Sequence, residues 1–176
     1  MKKWAFTDEE KEVGGRTLRR IVATTTFKAS GIKVKSGQKG GWLEKESNLS
    51  GNAWVADEAC VSHDACVSGN ACISGHAWLS GNARAKDFAR VFGHAHITDD
   101  AAVSGSAWVS GDAKLTHHAE SNSNAFVTGN AVVADNAVIT GHALVAENSV
   151  VMGNAVVCGG AVIAGQKISG HARICA

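Results

Sequence analysis

The chain has 176 residues, 45% of them hydrophobic, with twenty glycines, no proline and a formal net charge of +1. That length suits a single domain, and the near-zero charge argues against a dedicated nucleic-acid binder or a DNA mimic. The balance is uneven, because residues 1–48 carry eleven Lys and Arg against six Asp and Glu while the remainder carries six against ten.

Residues 1–40 do not repeat. After Phe6, "TDEEKE" reads as a single helical turn. "RTLRRIVATTTF" reads as a strand rich in Thr and β-branched residues, and "GIKVKSGQKGG" as a second strand leading into a Gly-rich turn. From about residue 41 a six-residue period takes over. Trp42-Leu43 and Leu49 are in step with it, and from Ala53 to Ala161 every sixth residue is alanine except Ser149. Two places on, from Val55 to Ile163, seventeen of nineteen positions are Val, Ile or Leu, with Ala85 and Ser121 the misses. Ile168 arrives one residue early, which predicts a short corner near Gln166–Lys167. So strict a period marks a repeat architecture.

Within "AWV" or "AVV" alternate residues point to opposite sides of a strand, so Ala and Val face in and the middle residue faces out. The following "SGN" or "TGH" is turn chemistry, in which Gly and Asn tolerate positive φ. Each hexad is then a short strand plus a corner, and stacked turns bury the inner face. The expectation is an all-β chain with a small β-rich cap over residues 1–40 and a parallel β-helix over residues 41–176. The cap would cover backbone groups that an open end leaves unpaired.

The hexads V-A-D-E-A-C, V-S-G-N-A-C and I-T-G-H-A-L resemble the hexapeptide-repeat, left-handed parallel β-helix proteins, in which three hexads make one triangular coil of eighteen residues. That resemblance alone implies the handedness and about seven coils, a rod roughly 34 Å long at about 4.8 Å per coil. The leading segment carries R-x-I-x-A at Arg19–Ala23, G-x-x-G-G-W at Gly37–Trp42, and Asn48-Leu49-Ser50. It is similar to YdcK-type proteins and their prophage-encoded relatives, a group that brings a fold but no common chemistry.

With eighteen residues per coil, positions eighteen apart share a face. Cys60, Cys66 and Cys72 therefore fall on three different faces and cannot form one zinc site or a disulfide with each other. Glu58, His76, His94 and Asp112 share a corner column, continued by Asn130 and Asn148. They are candidates for a metal or a general base, although most repeats place Asn, His, Asp or Glu there for the backbone. Among outward strand residues, Trp54, Trp78, Arg84, Arg90 and Trp108 form an aromatic–basic set of the kind enriched at protein contacts. Val132, Val138, Leu144, Val150, Val156 and Val162 are outward and apolar, and are assigned to a homodimer contact through the C-terminal coils.

Three functional classes follow. The fold resemblance brings acyltransferases, for which His94 or His118 would be the base, but no hexad is interrupted to build a concave site. A structural or polymer-forming spacer is the second class. The favoured reading is a non-enzymatic binding protein without cofactor or metal, with direct nucleic-acid binding not expected. Its partner would be a protein or nucleoprotein complex of a bacterial host, and the prophage resemblance points to inhibition of a defence complex such as a CRISPR–Cas effector. No apolar run approaches the roughly 20 residues of a membrane span, the start "MKKWAFTDEEKEV" lacks a signal-peptide core, and five cysteines do not look like a secreted disulfide framework. Cytoplasmic residence is the expectation.

Overall fold

A computed structural model describes residues 2–176. It begins with an antiparallel hairpin of β1 (Trp4–Val13) and β2 (Arg16–Ala23) turning at Gly14-Gly15. A second, short hairpin joins β3 (Phe27–Ala29) and β4 (Ile32–Val34), and β5 (Lys39–Leu43) follows. The expected helical turn at "TDEEKE" is absent, because those residues lie inside β1. Cross-strand pairs such as Glu10–Arg19 and Glu12–Thr17 hold them extended, whereas one isolated helical turn is unstable.

The Gly-rich stretch is strand as well. β5 lies antiparallel to β2 on one side, while its Trp42-Leu43 pairs in parallel with Cys60-Val61 on the other. Here glycine is needed for space: a Cβ on Gly40 would lie 2.6 Å from the Val55 carbonyl oxygen, and one on Gly41 would lie 2.5 Å from that of Ala59. The chain thus passes from cap to coil inside β5, and the cap extends one face of the rod into a ten-stranded sheet.

Beyond β5 the body is a parallel β-solenoid of about seven coils. Its strands stack on three faces. The first runs through Cys60, Trp78, His96, Lys114, Val132 and Val150. The second runs through Cys66, Arg84, Ala102, Glu120, Val138 and Val156. The third runs through Trp54, Cys72, Arg90, Trp108, Phe126, Leu144 and Val162. Amide N–H groups donate to carbonyls one coil on, as from Trp54 to Ala71 and from Cys72 to Ala89, both 2.9 Å. The short corner lies where the sequence placed it: Val150 pairs with Lys167 and donates to the Gln166 carbonyl at 2.9 Å.

Inside, the Ala53-type and Val55-type positions form one continuous core. Two serines interrupt it. Ser149 Oγ donates to the Ala146 carbonyl at 2.6 Å, while Ser121 Oγ has no partner among the described residues. The three-residue 3₁₀ turn Glu46–Asn48 precedes the first full coil, and buried Asn48 donates to the Ala65 carbonyl at 2.8 Å.

At the corners, positive φ belongs to the Gly/Asp position and never to asparagine, which corrects the expectation that Asn takes it. Asp57, Asp87, Asp99 and Asp135 adopt it at a cost, and each carboxylate accepts the N–H of the corner residue one coil on: Gly75, Gly105, His117 and Gly153. Those bonds satisfy amides that the ladder leaves free.

One cysteine pair escaped the sequence reading. Cys158 and Cys175 are disulfide-bonded across the last two coils, with Cα atoms 4.5 Å apart and a separation of 17 residues. Cys60, Cys66 and Cys72 are free and lie on separate faces. No helix among the described residues is long and apolar enough to cross a membrane.

Candidate functional site

The short hairpin does not sit on the end of the rod with the rest of the cap. It folds down over the third face. Ser30 and Gly31 both have positive φ, as a two-residue hairpin turn requires. Phe27 meets Trp54 edge-on at 5.8 Å, and Trp54 is left 1% exposed. Trp54 is therefore part of the packing under the cap, and it is removed from the expected contact set. Its indole N–H is buried with no acceptor among the described residues, a modest local cost.

Beyond Trp54 the hairpin tip is fastened to Arg90. Ser30 Oγ accepts from Arg90 Nε at 2.9 Å and donates to the Phe88 carbonyl at 2.8 Å, and the Ser30 carbonyl accepts from Arg90 Nη2. The Arg90 guanidinium lies 5.0 Å from the Trp108 ring, which meets Phe92 at 6.0 Å and Phe126 at 5.4 Å. Two open hollows flank this stack. Ile32, Cys72 and Phe92 line one, Phe88 and Ser106 line the other, and Arg90 and Trp108 wall both. Only four large hydrophobic side chains are well exposed among the described residues: Ile32 (45%), Phe88 (53%), Phe126 (39%) and Val162 (59%). The first three surround Arg90 and Trp108, which makes this a contiguous apolar patch with a cation at its centre.

Of the five contact candidates, Arg90 and Trp108 are brought together here. Trp78 lies on the first face, edge-on to His96 at 5.8 Å, with its indole N–H donated to Ser62 Oγ at 3.3 Å. Arg84 is exposed on the second face. Sequence reasoning missed Ile32, Phe88 and Phe92. The signal was available for the phenylalanines, because both occupy corner positions that other repeats give to Asn, His, Ser or Thr.

The histidine column is a stack and not a cluster. His76 and His94 lie face to face with ring centroids 5.0 Å apart. Glu58, at the top, is engaged by the cap: it accepts from the Trp42 indole at 2.9 Å and meets Lys11 and Arg20 at 3.3 Å. Burial pushes the Glu58 carboxyl up, but these donors and cations outweigh it and hold it below its ordinary range. Glu58, His76, His94 and Asp112 therefore do not assemble a metal site, and no His, Cys, Asp or Glu group suited to a metal ion occurs among the described residues. His118 Nδ1 lies 3.9 Å from Asp100 on an open corner with no enclosing wall.

The six assigned oligomer residues form a belt around the rod. Val132 and Val150 lie on the first face, Val138 and Val156 on the second, and Leu144 and Val162 on the third. Leu144 and Val162 continue the apolar stripe that begins at Trp108 and Phe126.

Burial pushes the Cys72 thiol up to about 11, with neighbouring Arg90 opposing the rise and Asp57 adding to it. Burial, and then the charges of Lys114 and His94, lower the His96 imidazole. No protein-family model matches the chain, and no curated protein matches it.

Proposed function

We propose that the chain is a non-enzymatic protein-binding β-solenoid that engages its partner through the third face, at the patch centred on Arg90 and Trp108. The observation that supports this reading is the concentration of exposed Ile32, Phe88 and Phe126 around one Arg–Trp stack. Aromatic and arginine anchors dominate binding energy at protein contacts. The likeness of the leading segment to YdcK-type and prophage-encoded proteins supports a more specific form: a phage-derived inhibitor of a bacterial defence complex such as a CRISPR–Cas effector. The partner would then be met in the cytoplasm, where Cys158 and Cys175 would stand as stacked thiols for most of the time. A homodimer belongs to the same proposal, through the Leu144–Val162 end of this stripe.

The test is affinity capture from a bacterial lysate with the folded chain and with a Trp108→Ala/Phe126→Ala variant of matched thermal stability. A stoichiometric partner identified by mass spectrometry and lost by the variant supports the reading. A partner retained equally by the variant, or no partner, overturns it, as does turnover of an acyl-CoA by the purified chain.

A further inference from the structure

Most basic residues of the cap are paired, and those of the short hairpin are not. On β1, β2, β5 and the loop after it, Lys11, Arg16, Arg20, Lys39 and Lys45 each meet a carboxylate. On the short hairpin, exposed Lys28, Lys33 and Lys35 meet none among the described residues. Lys28 and Lys33 are directly opposed across β3 and β4, an arrangement in which like charges repel. Arg90, beneath the hairpin tip, is also without a carboxylate. Two of its five N–H groups go to Ser30, leaving three donors beside the two apolar hollows that it walls. A stable cap could have carried an acid opposite Lys28 or beside Arg90, as it does elsewhere. Lys3 and Arg19 also meet no carboxylate among the described residues, but Lys3 donates to Asn52 and Arg19 lies 3.8 Å from the Phe6 ring. Lys28 and Lys33 have no such partner among the described residues and stand on the outward side of the hairpin whose tip borders the exposed apolar patch.

We infer that this patch takes an acidic, apolar-flanked segment of a partner protein, with a carboxylate seated on Arg90, apolar side chains in the hollows beside Phe88 and Ile32, and further acidic residues facing Lys28 and Lys33. The inference rests on the protein-binding reading above and adds the chemistry of what is bound. A guanidinium stacked on an indole keeps its in-plane donors for a planar carboxylate, and the surrounding apolar surface excludes water from that pair. A nucleic-acid strand fits less well. A phosphate backbone needs cations spaced along its track, and below Arg90 the third face offers only Trp108, Phe126, Leu144 and Val162.

The experiment is a selection of short random peptides displayed on phage against the immobilised full chain. Fluorescence anisotropy then follows, with an enriched peptide as the labelled probe. The expected result is enrichment of Asp or Glu flanked by Leu, Ile or Phe. Binding should fall about tenfold or more in a Lys28→Glu/Lys33→Glu variant, as when a hot-spot contact is lost, and it should weaken as salt is raised. That variant leaves the Ser30–Arg90 contacts in place, and a matched melting curve shows that the hairpin is still seated. Arg90→Lys should also weaken the probe, because an ammonium cannot form the bidentate contact. Enrichment of neutral or basic peptides, unchanged affinity in the Lys28→Glu/Lys33→Glu variant, or displacement of the probe by oligothymidylate would each overturn the inference. So would a selection that enriches nothing. Lysate capture decides the broader reading separately: a stoichiometric partner lost with Trp108 and Phe126 but kept by the lysine variant would leave the binding protein standing and remove only the acidic segment.

Discussion

Leu115, midway down the rod, and Ile21, in the cap, are both wholly buried, but by different kinds of neighbour. Leu115 lies between Ile97 and Val133, its own counterparts one coil away on either side. Ile21 is enclosed by unlike elements: it sits opposite Phe6 on β1 and against the backbone of Gly40, where a Cβ would approach it to 2.7 Å. In the body each coil repeats its neighbour's solution, so stability accumulates coil by coil from nearest-neighbour terms. In the cap each contact is made once, and charge does part of the holding, with Glu9, Glu44 and Glu58 bridging its strands to one another and to the first coils. A periodic body leaves little room for singular chemistry, and the residues proposed to bind lie where the cap's short hairpin meets the coils.

The strongest way to break the body is to charge its inner column. Val109→Asp places an unpaired carboxylate at a wholly buried position and should cost more than about 4 kcal/mol. Circular dichroism should show the middle coils lost while β1, β2 and β5 keep some structure. An unchanged melting curve would show that the Val109 side chain does not point inward. Opening the Cys158–Cys175 bond should act only at the far end. Closing a loop of 17 residues contributes about 3 kcal/mol in the chain-entropy account, so reductant should expose Lys167 and Arg173 to trypsin before any other site. Equal cleavage with and without reductant would mean that the corner holds itself.

The junction of the two regions has its own pH signature. A thiol raised to about 11 in the folded chain stays protonated after the unfolded chain has ionised. Cys72 therefore contributes stability that is fully present below the ordinary thiol range and is lost as pH climbs toward 11, about 2–3 kcal/mol in all. Urea titrations at pH 8 and pH 10.5 should show this loss in the native chain and a smaller one in Cys72→Val. An equal loss in both would assign the alkaline effect elsewhere. The smallest expected change is a gain. Ser121→Val fills an inner position with the residue its column prefers and removes an unpartnered hydroxyl, which should raise stability by about 1 kcal/mol. A loss would indicate that the coil there is too narrow for two methyl groups.

Most of the body was legible from residues alone, because inward Ala and Val repeat without interruption and the early arrival of Ile168 located the short corner. The cap was less legible. The "TDEEKE" run has no strand propensity of its own and is extended only because Arg16–Ala23 pairs with it, and Gly40-Gly41 reads as a turn until the crowding around β5 is seen. At the candidate site, Arg90 and Trp108 were evident as outward neighbours on one face. The cover over Trp54 was not, since nothing in a period of six states where a non-repeating hairpin will lie. The Cys158–Cys175 pair was missed for a related reason: the short corner makes their separation 17, off the eighteen-residue step used to compare faces.

The hydrogen-bond ladder that joins the coils also decides how the rod would respond to tension. Its bonds run between coils, along the direction in which the two ends would be drawn apart. A load on the ends therefore meets the bonds of one terminal coil at a time and peels them, and it does not shear a whole sheet at once. Each coil of eighteen residues would release about 60 Å of chain as it opened. Force spectroscopy would record a train of low, evenly spaced steps. The Cys158–Cys175 bond would hold back the chain it encloses at one end, and the antiparallel β1–β2 hairpin would interrupt the train at the other.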